Sequence, residues 1–142
     1  DVASLTGMRA ILDRAFTAPA AEARPPKRAA IGGPDAAYEV PVGAGRSFDV
    51  AMIQEDLRHG QRVEQFTLEL CAAGACREFA RGTTIGYKRL LRFPEVAIGP
   101  AQRDARIRLT IVQARGTPAV SALGAYRMGP SRPQGAAPGV TR

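Results

Sequence analysis

The sequence is poor in the side chains that most often carry enzymatic or metal chemistry. It has no tryptophan, one histidine (His59) and two cysteines among 142 residues, and aromatic residues make up 6% of the chain. With one histidine and no second pair of closely spaced cysteines, a zinc site would lack ligands. No serine lies in the Gly-x-Ser-x-Gly context of a hydrolase nucleophile, which argues against a Ser-His-Asp triad. We therefore predict no metal, no cofactor and no catalytic residue in this chain.

Long apolar runs are also lacking. Crossing a membrane takes roughly 18 or more consecutive apolar residues, and no stretch of the sequence approaches that length. The first residues do not have the basic, apolar and small-residue order of an export signal. We therefore predict no membrane partner and no export signal within the chain. Its 142 residues, 45% of them apolar, suffice for one domain with an ordinary core.

The chain carries an excess of positive charge, with a formal net charge of +7. Lysine contributes only Lys27 and Lys88, so nearly all the cations are arginines. Such a composition invites a nucleic-acid function through phosphate neutralisation. The arginines are scattered among strand positions, however, and three Tyr and five Phe leave few rings for base stacking. We predict no nucleic-acid partner and interpret the charge as a solvated surface.

Patterning divides the chain into four parts. Residues 1–16 place apolar side chains three and four positions apart, which predicts a surface helix that packs on a domain outside this chain. Residues 21–35 are rich in Pro, Ala and basic residues and predict a linker, after a helical segment at residues 1–20. Residues 36–128 predict a β-sandwich. Residues 129–142 show no periodicity and predict a disordered tail.

The central part shows the period-two alternation of β-strands. Pro41 indicates an edge strand, because proline cannot donate a ladder hydrogen bond. About eight short strands predict an all-β, antiparallel sandwich. The predicted strands are Ala36–Val42, Arg46–Gln54, Arg62–Cys71, Cys76–Ala80, Thr83–Phe93, Glu95–Ile98, Arg106–Gln113 and Val120–Met128.

The two cysteines flank a four-residue segment, Ala-Ala-Gly-Ala, that predicts the turn of a hairpin. Cys71 and Cys76 come within disulfide distance if the register places them opposite each other. Two buried free thiols are the alternative, and zinc has no further ligands to draw on.

Glu55 stands apart from the other carboxylates. Most of them alternate along strands, as solvated charges do, whereas Glu55 ends an apolar run. An antiparallel arrangement brings it near Arg62 and Arg89. We predict a structural ion pair of Glu55 with Arg89, since arginine can bind a carboxylate with two parallel hydrogen bonds, with Arg62 as the competing partner.

Several blocks of the sequence resemble the C-terminal β-sandwich of family 29 α-L-fucosidases. Their order and spacing agree with that family, and the first helix is similar to the last helix of its catalytic barrel. The resemblance covers residues 1–20 and 46–127. The blocks are Phe48–Glu55 (FDVAMIQE), Gly60–Phe66 (GQRVEQF), Arg81–Leu91 (RGTTIGYKRLL) and Arg106–Tyr126.

The resemblance implies a galactose-binding-like, discoidin-type jelly roll, with one N-terminal helix left over from a missing (β/α)8 barrel. In that family the barrel supplies the catalytic residues of a retaining exo-hydrolase that removes terminal α-L-fucose. A barrel takes about 250 residues and cannot fit in this chain. The parent protein is then the enzyme, and its barrel is the partner of the helix at residues 1–16. The family also implies a secreted or periplasmic location, which the cysteine pair favours.

The sequence departs from the family between residues 21 and 42, which are short, basic and free of tryptophan. This departure predicts a sandwich that lacks one or two strands and a weakened ability to stack a sugar ring.

Two roles remain for the domain itself. It is either a noncatalytic accessory domain of the fucosidase or an autonomous module that binds galactose- or fucose-type glycans. The loop residues Arg58, His59 and Gln61, together with Gly116–Pro118, are the candidates for sugar contact, while a solvent-exposed loop histidine is the alternative for His59.

Overall fold

A computed structural model describes residues 19–29, 36–58 and 60–129. The predicted helix at residues 1–16, nearly all of the predicted tail and His59 lie outside these ranges. The described residues contain no helix that could cross a membrane. They form nine strands: β1 Ala21–Arg24, β2 Lys27–Ala29, β3 Ala36–Pro41, β4 Ser47–Glu55, β5 Val63–Ala72, β6 Ala75–Gly82, β7 Arg89–Ala97, β8 Arg106–Ala114 and β9 Val120–Tyr126.

The strands form two antiparallel sheets. One has the order β1-β9-β4-β7 and the other the order β2-β3-β8-β5-β6. Without β2, this is the strand order of an eight-stranded jelly roll, in which successive strands alternate between sheets except at the β5–β6 hairpin. The predicted all-β antiparallel sandwich is therefore confirmed.

The segment predicted as a linker contributes two strands instead. Ala21 is 3% exposed while Glu22 and Arg24 face solvent, so β1 has the alternation of an edge strand. It pairs with β9, and β2 pairs with β3. Pro25 and Pro26 lie between the two strands, where the chain passes from one sheet to the other. The prediction that the sandwich lacks strands is thus wrong.

Two further predictions about strands need correction. Residues 83–88 form a loop with Gly86 at φ 70°, and the predicted strands Thr83–Phe93 and Glu95–Ile98 are replaced by one strand, β7. The strand with Pro41 is not an edge, because β3 lies between β2 and β8. Pro41 is tolerated because the pairing of β2 stops at Glu39.

The core fills the space between the two sheets. Three phenylalanines, Phe48, Phe79 and Phe93, meet there with ring centroids 4.8–5.8 Å apart, and Phe48 packs edge-to-face on both others. Phe48 is fully buried, and burial of such a side chain contributes about 1.5–3 kcal/mol to stability, whereas Phe79 and Phe93 are partly buried. The largest fully buried side chains are Phe48, Phe66, Ile53, Leu68, Ile107, Leu109 and Leu123.

The turns gather at the two ends of the sandwich. At the Glu55 end, the loops 56–62, 83–88 and 115–119 meet through backbone hydrogen bonds such as Glu55 N–H to Gly86 O (3.2 Å) and Asp56 N–H to Ala119 O (2.8 Å). At the Asp104 end, the turn 43–46, the loop 98–105 and the turn 73–74 meet. There Gly45 N–H binds Ile98 O (3.0 Å) and Ala73 N–H binds the Asp104 carboxylate (2.9 Å).

Candidate functional site

The Glu55 end carries the residues predicted to contact sugar. Arg58 and Gln61 are both exposed on the loop that follows β4. The Arg58 guanidinium binds the carboxylate of Asp56, with Nε 2.9 and 3.0 Å from its two oxygens. This contact raises the pKa of Arg58 above its ordinary value. Gln61 lies beside Gly86, so the loops 56–62 and 83–88 share one surface.

Glu55 does not form the predicted ion pair. Its carboxylate is buried, and Oε2 accepts hydrogen bonds from the backbone N–H groups of Arg62 (2.6 Å) and Val63 (3.0 Å). Arg62 thus contacts Glu55 through its backbone, and the Arg89 guanidinium donates to Thr84 O (2.6 Å). Glu55 therefore fastens the return of the loop into β5.

Two polar atoms at this end are buried without a hydrogen-bond partner, Glu55 Oε1 and Arg62 Nε. The Arg62 guanidinium lies against Gly116, so that an added Cβ there would meet its Nη1 atom. Gly116 also has a positive φ of 86°, so a residue with a Cβ would be strained there, and the Arg62 side chain would have to move. Glycine at position 116 thus leaves room for the Arg62 side chain beside the loop 115–119.

Tyr38 connects the core to the same end. Its hydroxyl donates to Pro118 O (3.0 Å), which fixes the loop 115–119. Burial of the ring raises the pKa of Tyr38, while the charge of Arg28 acts in the opposite direction. Gly116–Pro118 is therefore held by the core.

The cysteine pair forms the predicted disulfide. Cys71 and Cys76 lie directly opposite each other on β5 and β6, and they are bonded to each other. The turn is shorter than predicted, because Ala72 pairs with Ala75 and only Ala73 and Gly74 connect the strands. Both turn residues have positive φ, 53° and 79°.

The described residues hold no group of three or more His, Cys, Asp or Glu side chains that could bind a metal. Among them, Asp49 and Glu55 are the buried acidic side chains, and each accepts hydrogen bonds from backbone amides. Asp49 binds the N–H groups of Met128 (2.8 Å) and Gly129 (3.0 Å). Carboxylates bound to backbone amides in this way hold loops in place.

The Asp104 end has a groove that the sequence did not predict. Two adjoining hollows of about 470 and 490 Å³ share Arg24 and Pro41 in their walls. We call them together the basic groove, because their cationic lining residues are Arg24, Lys27, Arg46, Arg103 and Arg106. Arg24 and Lys27 fall in the supposed linker, and Arg46 and Arg103 in turns, so no local pattern in the sequence brings them together.

No protein-family model matches the chain. Alpha-L-fucosidase 1 of Arabidopsis thaliana is 38% identical over 82 residues, which are 56% of this chain and 15% of the plant protein. The chain thus spans about one seventh of the length of the curated relatives that it matches.

Solved structures show the same relationship. A protein from Bacteroides ovatus, provisionally assigned as an α-L-fucosidase, shares 32% identity with a TM-score of 0.65, over 86% of this chain and 20% of its own. The GH29 fucosidase of Ruminococcus gnavus, solved in complex with fucose, shares 27% identity with a TM-score of 0.55, over 70% of this chain and 19% of its own. These matches confirm the family resemblance predicted from the sequence blocks.

Proposed function

The β-sandwich of this chain is related to a small part of family 29 α-L-fucosidases, and on that premise we propose that it is the C-terminal accessory domain of such an enzyme. The parent protein would release terminal α-L-fucose through a catalytic barrel. The sandwich would support that barrel and border the approach of the substrate, without contributing catalytic residues.

The observation that carries this proposal is that sequence and fold point to the same family. The chain is 38% identical over 82 residues to alpha-L-fucosidase 1 of Arabidopsis thaliana. Its fold matches that of the Bacteroides ovatus protein, provisionally assigned as an α-L-fucosidase, with a TM-score of 0.65. The chemistry of the described residues agrees with an accessory role, because both buried carboxylates bind backbone amides. The disulfide favours an oxidising, extracytoplasmic compartment for the parent protein.

The experiment is to express the complete reading frame and this chain separately and to assay both with a chromogenic α-L-fucoside. We expect hydrolysis by the complete protein and none by the chain alone. A complete protein without a barrel, or one that leaves the fucoside intact, would contradict the proposal. Activity of the isolated chain would contradict its noncatalytic role.

An autonomous glycan-binding module is the second candidate. It is favoured by the exposed side chains of Arg58 and Gln61, which lie on one loop at the Glu55 end. Calorimetric titration of the chain with fucosylated and galactosylated oligosaccharides tests it. The absence of heat at millimolar ligand would exclude this role, and binding that is lost in Gln61→Ala would support it.

A further inference from the structure

The basic groove lies at the Asp104 end, away from the loop with Arg58 and Gln61. Its walls come from β1, β2, β3, the turn 43–46 and the loop 98–105. Both hollows are open to solvent, and their volumes fall within the roughly 300–1,000 Å³ that small-molecule sites occupy. The floor is apolar, since Val40, Val42 and Ala105 are 1%, 6% and 2% exposed.

Four of the cations in the groove are uncommitted. Within the part of the chain that the structure describes, the side chains of Arg24, Lys27, Arg46 and Arg103 make no ion pair or hydrogen bond. Such cations remain available to an anion from solution. Arg106, the fifth, lies 3.2 Å from the Glu39 carboxylate.

The acidic residues of the groove are largely engaged. Glu39 is neutralised by Arg106 and also by Arg108, whose Nε lies 2.9 Å from Oε2. Asp104 accepts the N–H of Ala73 (2.9 Å). Glu22 is exposed at the rim of the second hollow. Among the described lining residues five cations thus face three carboxylates, which gives this set a net positive charge.

From this we propose that the basic groove binds an anionic glycan, in which a sulfate ester or a carboxylate on the sugar meets the free cations Arg24, Lys27, Arg46 and Arg103. Arginine and lysine both bind such groups by charge-assisted hydrogen bonds. Among the described residues that line the groove none is aromatic, so these residues offer no platform for nucleic-acid bases. That the ligand is a sugar rests on the proposed function. That the ligand is an anion follows from the charge of the groove alone.

Isothermal titration of the chain with four probes tests the proposal. The probes are a sulfated fucan oligosaccharide, an oligogalacturonate, an uncharged fucosylated oligosaccharide and inorganic sulfate. We expect at least one of the two anionic glycans to bind more tightly than the uncharged one and more tightly than inorganic sulfate. The anionic glycan that binds more tightly shows whether the groove prefers a sulfate ester or a carboxylate. Added salt should weaken the binding, because exposed charges are screened.

Variants locate the site. Arg24→Ala with Arg103→Ala should weaken binding about tenfold or more, since one charge-assisted hydrogen bond is worth roughly that factor. The control pair Arg77→Ala with Lys88→Ala removes the same charge from exposed positions outside the groove and should change affinity less than about twofold. Thermal unfolding verifies that the variants fold. Arg46→Glu, in a turn, provides an independent second variant.

An equal loss of affinity in the control pair would show that binding depends only on the net charge of the chain, and it would overturn the proposal. Binding of the uncharged glycan or of inorganic sulfate as tight as that of the anionic glycans would also overturn it. These outcomes are independent of the fucosidase assay, since titration with the chain alone requires no catalysis. A groove that binds no anionic glycan would leave the fucosidase relationship intact.

Discussion

At the scale of single residues, Glu55 has two roles: it is the last residue of β4, and its side chain anchors the loop that follows. Its backbone closes β4, while its side chain reaches the amides of Arg62 and Val63, where β5 is about to begin. Hydrogen bonds from N–H groups to a carboxylate are stronger than those between neutral groups. One side chain thus satisfies two amides that the turn of the chain would otherwise leave open.

Replacing Glu55 should therefore destabilise the fold. We expect Glu55→Ala to lower the free energy of unfolding by about 2–4 kcal/mol, because two amides lose their acceptor, and Glu55→Gln to cost less. The control is Glu64→Ala. It removes a carboxylate whose ion pair with the exposed Arg115 should be worth less than about 1 kcal/mol. Urea unfolding measures both variants, and equal losses would show that Glu55 has no special role.

The importance of Glu55 could be predicted from the sequence, but its partner could not. A carboxylate after an apolar run indicates burial, and burial requires a partner. Whether that partner is a guanidinium or a backbone amide depends on the path of the loop 56–62. That path is fixed by contacts with loops about 30 and 60 residues further along the chain, such as Asp56 with Ala119. No local pattern encodes them.

Tyr38 makes the stability of the fold depend on pH in the alkaline range. Burial raises its pKa above the ordinary value of 10.0, so the folded state holds the phenolic proton more tightly than the unfolded chain. The resulting stability is complete below about pH 10 and is lost as the pH rises through the pKa of the folded state. We expect Tyr38→Phe to flatten this decline. Tyr87→Phe is the control, because Tyr87 is 71% exposed. The free energy of unfolding is measured against pH for both variants. Identical curves would contradict the role of Tyr38.

At the scale of elements, the β5–β6 hairpin combines strong pairing with an imperfect turn. A two-residue turn with both φ angles positive favours Asn-Gly, but this chain has Ala73 at the first position. A residue with a Cβ in the left-handed region costs roughly 1–2 kcal/mol. The disulfide between Cys71 and Cys76 closes the strands immediately before the turn.

Ala73→Asn should relieve this strain. We expect the free energy of unfolding to rise by about 0.5–1 kcal/mol, since asparagine tolerates the left-handed region and the backbone bond to Asp104 is kept. Ala73 is exposed, so no packing is lost. Gly74→Ala is the opposite control and should destabilise. Thermal unfolding under oxidising conditions measures both, and a destabilised Ala73→Asn variant would contradict the argument.

The strands that the sequence predicted best are those with internal alternation. β5 and β8 lie side by side within their sheet, so one face is buried over most of their length and the pattern is strong. β1 and β2 have four and three residues and flank two prolines, which left a composition typical of a linker. Gly86 interrupts an otherwise extended pattern, and its positive φ became evident only in the structure.

At the scale of the whole molecule, the sandwich depends on pairing between distant parts of the chain. β1 pairs with β9, so Ala21 lies opposite Ala125. The fold could be predicted because the sequence blocks of β4, β5, β7 and β8 identified a family. The basic groove could not be, because Arg24, Arg46 and Arg103 come together only when the first strands are placed beside the loop 98–105.

Removal of the first two strands should therefore destroy the fold, whereas removal of the residues before them should not. β1 covers the edge of β9 closely: an added Cβ on Gly124 would lie 2.7 Å from Ala23, and Ala23 N–H donates to the Tyr126 hydroxyl (2.8 Å). A chain that starts at residue 19 keeps these contacts. We expect its free energy of unfolding to stay within about 1 kcal/mol of the value for all 142 residues, because the pairing of β1 with β9 and of β2 with β3 is kept.

A chain that starts at residue 36 exposes the backbone edges of β9 and β3 together with the buried side chains of Leu123 and Ala125. Open edges of this kind pair with other chains. We expect loss of the cooperative unfolding transition and aggregation, measured by circular dichroism and light scattering beside the chain from residue 19. Gly124→Ala in the whole chain tests the same contact by overpacking and should cost about 1–3 kcal/mol. If the chain from residue 36 unfolded as cooperatively as that from residue 19, residues 21–29 would be a linker after all.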